Sequence, residues 1–194
     1  MRFLRRLAQG NRGFTLIEVM VTAAMLGTVL AVVSTVFYSS NDTYRKTSRR
    51  VNMQRNARLG MDIMVKELRH AGCDPSGVGV SAVIVASSDS LRIQADLDGD
   101  GVIETAEPSE DVTYYYDVVS QVLFRDPGTG PEVLVPNVSG LVFGYLDANN
   151  HALSPLPLTT LLAAQVRSVA ISITTHAREG EEITLTTTAA LRNS

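Results

Sequence analysis

From Phe14 to Tyr38 the chain reads FTLIEVMVTAAMLGTVLAVVSTVFY, 25 residues with Glu18 as the single charge. About 20 consecutive apolar residues suffice to cross a bilayer as a helix. Beyond Ser39 the pattern turns amphipathic. Ala57, Met61, Met64, Leu68 and Ala71 recur at three- and four-residue steps, while Arg55, Arg58, Asp62, Lys66 and Arg69 fill the other face. No proline occurs before Pro75, and Gly72 and Pro75 supply stop signals. The spacing predicts one helix from Phe14 to Ala71, roughly 85 Å long at ~1.5 Å per residue. That exceeds what a membrane needs, so the second half must pack against something else.

From there the period falls to two. Val112-Tyr114-Tyr116-Val118, Val169-Ile171-Ile173 and Ile183-Leu185-Thr187-Ala189-Leu191 alternate. Further strand candidates are Val80–Ala86, Leu91–Ala95, Gln121–Phe124, Glu132–Val135 and Leu141–Tyr145, with turns at Pro127-Gly128, Gly130-Pro131 and Asn149-Asn150. Ser154–Ala164 reads as a loop with one helical turn. A long helix followed by many strands predicts an α+β fold, an antiparallel sheet laid on the helix's second half. The organisation is a basic leader over 1–13, a membrane helix over 14–38, an amphipathic helix over 39–72 and a β-rich head over 73–194.

Charge orients the first segment. Arg2, Arg5, Arg6 and Arg12 precede the apolar run with no acid among them, which places the N-terminus in the cytoplasm and the remainder outside. Without residues 1–13 the chain carries 13 Lys and Arg against 20 Asp and Glu, and no basic run follows Arg49-Arg50. That balance gives no electrostatic footprint for nucleic acid. Cys73 is the only cysteine, so no intrachain disulfide forms, and a small buried residue past a helix end is its expected role. His70, His151 and His176 lie far apart, and neither a nucleophile elbow nor a phosphate-binding glycine loop occurs. The sequence therefore predicts no enzyme.

The apolar run is too long for an ordinary secretory signal, whose apolar region spans ~7–15 residues, though the small residues Thr22-Ala23-Ala24 keep a cut there open. A twin-arginine signal needs more than Arg5-Arg6. A plain single-pass anchor fits the length but gives no reason for Glu18. A carboxylate in a membrane segment costs on the order of 2.5–3.5 kcal/mol, softened near the cytoplasmic end by snorkelling.

Arg12-Gly13-Phe14-Thr15-Leu16-Ile17-Glu18, opening an apolar helix, resembles the cleavage and methylation site of type IV prepilins and type II secretion pseudopilins. The resemblance implies that a prepilin peptidase cuts after Gly13 and methylates the new amine of Phe14. It also implies that Glu18 acts in assembly, within an inner-membrane protein whose head lies in the periplasm before it joins other pilin or pseudopilin subunits in a filament. In a growing filament Glu18 of one subunit can neutralise the Phe14 amine of its neighbour, removing two buried charges together. Asn41–Gly72, with Gln54, Asn56-Ala57-Arg58 and Glu67-Leu68-Arg69-His70-Ala71-Gly72, is similar to PilW-type minor pilins, with J-type minor pseudopilins as the near alternative. Cys73 stands where that family carries an aromatic residue. A non-polymerising single-pass envelope protein that binds calcium is the reading from another class.

That last reading comes from a second motif. Asp96-Leu97-Asp98-Gly99-Asp100-Gly101-Val102-Ile103-Glu104-Thr105-Ala106-Glu107 satisfies the twelve-residue calcium-loop pattern. Expected oxygen ligands are Asp96, Asp98, Asp100, the Val102 carbonyl, Glu104 and Glu107, with Gly101 at the sharp turn. The flanks are strands and Pro108 follows, so an isolated loop pinned by Ca2+ competes with a plain acidic hairpin turn.

Overall fold

A computed structural model of the chain describes residues 13–104, 110–176 and 182–193. The leader before Gly13 and the Thr105–Ser109 segment, including Glu107 and Pro108, lie outside them. The chain divides into two compact units, residues 1–48 and 49–194. Helix α1 runs Leu16–His70 and belongs to both.

In the first unit every described residue is exposed, including Leu16, Ile17, Met20, Leu26, Leu30, Val33 and Phe37. A helix apolar on all sides has no face to turn toward water. By length and composition it is long and apolar enough to cross a membrane.

In the second unit the same helix turns one stripe inward. Ala57, Gly60, Met61, Met64 and Leu68 are buried, matching the predicted face. Gly60 is part of that stripe because the sheet comes too close for a side chain. A Cβ there would sit 2.3 Å from Val135 Cγ2, on a fully buried β-branched residue that cannot swing aside. Helical glycine costs about 1 kcal/mol relative to alanine; here the close approach gives it a reason. The helix stops at Gly72, whose φ of +75° is left-handed and whose missing Cβ leaves room for Asn193 O and Ala82. Its N–H goes to Gln94 O at 2.8 Å.

Eight strands follow: β1 Val83–Ala86, β2 Ser90–Gln94, β3 Asp111–Asp117, β4 Val122–Asp126, β5 Glu132–Pro136, β6 Val138–Leu146, β7 Ser168–His176 and β8 Glu182–Ala190. The segment before β7 holds a single helical turn, α2 Thr160–Ala163, capped by Thr159, as expected for Ser154–Ala164. The α+β class is as predicted, but the single sheet is not. The strands form two antiparallel sheets, β1-β2-β3-β4-β5 and β6-β7-β8. The break falls at Pro136-Asn137. Proline has no N–H to continue the ladder, and Asn137 at φ 56° turns the chain out of the first sheet. Hydrogen bonds then tie the two together: Tyr116 donates its hydroxyl to Val138 O (3.0 Å), and Tyr145 donates to Ser87 O (2.7 Å).

One core runs through helix and sheets, with Met64, Leu68, Leu91, Tyr114, Leu123, Phe143, Tyr145, Ile171 and Ile173 among its buried members. A polar clamp lies within it. Arg125 on β4 grips Glu67 on α1 through Nη2 (2.7 Å) and Nε (3.0 Å), and Tyr114 on β3 donates its hydroxyl to the same carboxylate. Burial, then the Glu67 charge, pushes the Tyr114 hydroxyl far above its ordinary pKa, so it stays a donor. Cys73, expected to be buried, is half-buried just past the helix end.

Candidate functional site

Two places carry the sequence-predicted residues, one in each unit. At the start of α1, Gly13 and Phe14 lie ahead of the first turn, and Phe14 is 84 % exposed. Thr15 is the N-cap. Its hydroxyl accepts the Glu18 N–H at 3.3 Å, and the Glu18 carboxylate reaches back to accept both the Thr15 N–H and hydroxyl at 3.2 Å. This reciprocal arrangement is a capping box, which satisfies donors that a helix start otherwise leaves bare. The threonine–x–x–glutamate spacing of Thr15 and Glu18 is the sequence signal of this box. Both bonds fall on Oε2; among the described residues Oε1 has no partner. Glu18 can thus hold its own helix start with one oxygen and offer the other to a cation outside the chain.

The second place is the acidic loop between β2 and β3. Gly99 and Gly101, both at φ +83°, bend it tightly against the loop that follows α1, where a Cβ on Gly101 would lie 3.0 Å from Val78 Cγ1. Asp96 is fully buried. It accepts hydrogen bonds from Ser76 Oγ (2.6 Å), Gly99 N (2.7 Å) and Gly101 N (3.1 Å). Asp74 organises the neighbouring loop by accepting the N–H groups of Gly77, Val78, Gly79 and Val80. That is why β1 begins at Val83 and not at Val80 as predicted. The Ser76 bond, followed by the Gly99 and Gly101 amides, holds Asp96 below the ordinary carboxylate range despite burial. The Gly79 amide does the same for Asp74. Both contribute stability that is complete above pH ~4 and is lost as the pH falls through their depressed values.

The loop is closed by a residue outside the predicted set. Glu110, buried at the foot of β3, accepts the N–H groups of Leu97 (3.0 Å) and Glu104 (3.2 Å). Carboxylate oxygens converge in two overlapping groups, Asp96–Asp98–Glu110 and Asp98–Asp100–Glu104, each within 4.8 Å. Asp98 therefore belongs to both. Val102 gives its N–H to Asp100 Oδ1 (2.7 Å) and leaves its side chain exposed; Glu107 lies outside the described residues. Glu104 Oε2 is buried without a hydrogen-bond partner among the described residues. Burial, then the Asp100 and Glu110 charges, raises the Glu104 carboxyl above its usual range. Burial also opposes ionisation of Glu110, but the Leu97 and Glu104 amides outweigh it and hold that carboxyl low. An orphaned buried oxygen among crowded carboxylates fits a hard divalent cation held by oxygen ligands.

Comparison with known proteins bears on the first place. Residues 9–34 match the family described as the prokaryotic N-terminal methylation motif. Over 62 residues the chain is 41 % identical to the pilin-like protein PilA3 of Thermus thermophilus, a stretch covering 32 % of this chain and 27 % of that protein. The chain thus spans little more than a quarter of the length of the curated relative it matches.

Proposed function

We propose that this chain, a type IV pilin family member by its N-terminal motif and its helix-plus-sheet architecture, serves as a minor pilin-like subunit. It is inserted in the inner membrane with its head in the periplasm and is cut after Gly13 by a prepilin peptidase. It then passes into a type IV pilus beside other pilins. The observation that carries this reading is the state of Glu18: the sole charge in a predominantly apolar, exposed helical stretch, anchored through Oε2 and, among the described residues, open at Oε1. Cleavage frees the Phe14 amine four positions away. In a filament that cation needs an anion, and an intersubunit pair removes both charges from an apolar setting together. Mass spectrometry of the mature protein is expected to find N-methyl-Phe14 as the first residue. An intact Met1, or a start beyond Ala24, would overturn the reading.

We further propose that the acidic loop holds calcium, in which case Asp98 would belong to both groups of carboxylates and the ion would offset the crowding that raises the Glu104 carboxyl. When bound, the ion would supply charge neutralisation and a fixed loop geometry. Millimolar Ca2+ is expected to raise the melting temperature of the detergent-solubilised full chain by roughly 5 °C. Asp98→Ala should abolish that rise. A wild-type melting curve indifferent to calcium would leave the loop a solvated acidic turn.

A further inference from the structure

The last turns of α1 and the segment after β8 meet around a cavity of about 380 Å³, lined by Asp62, Val65, Lys66, Arg69, His70 and Arg192. Its charge is one-sided. Lys66, Arg69 and Arg192 are three fixed cations against the single acid Asp62, a net charge of about +2 with His70 neutral. Among the described residues none of the three has an ion-pair partner. Glu67, next to Lys66 in sequence, is already committed to Arg125 and Tyr114. Arg69 and His70 stand in the last turn of α1, where the helix dipole favours cations. That effect fades within the turn, so it accounts for neither Lys66 nor Arg192. Arg192 is held in place from both sides. Leu191 sits in the core with its N–H on Arg167 O at 2.9 Å, and Asn193 lies against Gly72.

We propose that this cavity binds the dianionic phosphoryl group of a small phosphate monoester. Two guanidinium groups offer planar forks that match phosphate oxygens, and Lys66 adds a compact point charge. A phosphate monoester carries about −1.5 to −2 charges at neutral pH, which balances the lining. A carboxylate or a phosphodiester brings one charge and leaves the three cations repelling one another. The cavity's 380 Å³ falls within the ~300–1,000 Å³ range of small-molecule sites, so the ester's organic part has room beside its phosphoryl group. Asp62 opposes the anion, and that opposition gives the site a residue whose neutralisation should improve it. None of the lining residues belongs to the acidic loop or to the N-terminal motif, so the site stands apart from both earlier readings.

The test is a phosphorus NMR titration of glycerol phosphate with the full chain, solubilised in a maltoside detergent in calcium-free buffer of fixed ionic strength. Saturable line broadening is expected, and dimethyl phosphate, a diester, should bind about tenfold more weakly. Arg69→Gln and Arg192→Gln should each weaken glycerol phosphate about tenfold, as loss of a charge-assisted hydrogen bond would. Asp62→Asn should tighten it about threefold, an effect that damage to the fold cannot produce. Arg45→Gln removes the same charge from an exposed position elsewhere on α1 and should leave binding within about twofold of wild type. Absence of saturation, or a diester bound as tightly as the monoester, overturns the proposal. So does weaker binding in Asp62→Asn, or an Arg45→Gln loss as large as that of Arg192→Gln.

Discussion

Glu18→Val is expected to be processed normally after Gly13 and yet to be nearly absent from filaments, with incorporation lowered roughly a hundredfold or more. On the proposed pairing, the size follows from leaving the neighbour's Phe14 amine unpaired in an apolar setting, a penalty of ~3–5 kcal/mol, each 1.4 kcal/mol being tenfold. Valine also removes the capping box with Thr15, worth only ~1 kcal/mol at the helix start. Glu18→Gln separates the two effects, because glutamine can complete the box but carries no charge. It should assemble as poorly as valine. The measurement is immunoblotting of sheared filament and membrane fractions, with the N-terminal mass confirming cleavage. Normal incorporation of the glutamine variant would assign Glu18 to capping and refute charge pairing.

The largest loss of stability is expected at the clamp inside the head. Glu67→Ala strips Arg125 of its bidentate partner and Tyr114 of its acceptor, both on buried strands. Uncompensated buried charge costs ~3–5 kcal/mol; Glu132 stands 3.8 Å from Arg125 Nη1 and softens this toward the lower end. The detergent-solubilised full chain should melt roughly 10 °C lower. Replacing both partners, Glu67→Met with Arg125→Met, should recover most of that loss, because similar-sized apolar residues remove the desolvation cost along with the attraction. A double variant as unstable as the single one would mean that the carboxylate acts mainly through Tyr114.

The clamp also shows where sequence reading stops. The helix, its stop at Gly72 and all eight strands were legible, since periods of 3.6 and 2 follow directly from which side chains face the core. Arg125 and Glu67 are 58 positions apart, and no local pattern couples them. Glu110 escaped for a related reason. It falls beyond the calcium-loop pattern, and its hold on Leu97 and Glu104 exists only once β3 has paired with β2. The division into two sheets was present as Pro136, but a proline between two apolar runs does not say whether the next strand returns to the same sheet. Thr15 is different. The capping-box spacing was there to be read, and the neighbouring charge obscured it.

Gly72 has a kinetic corollary. Its left-handed backbone lies against the carbonyl of Asn193, and Leu191 is part of the buried core. The end of the helix and the segment that follows β8 thus complete one another across more than a hundred intervening residues. A polypeptide emerging vector-wise, N-terminus first, cannot make that closure until the segment around Asn193 has arrived. The apolar helix would be complete well before then, while the head waited, open, for β8 and the residues after it. Long-range closure of this kind folds slowly, so arrival of that segment, not helix formation, would set when the head first becomes protease-resistant.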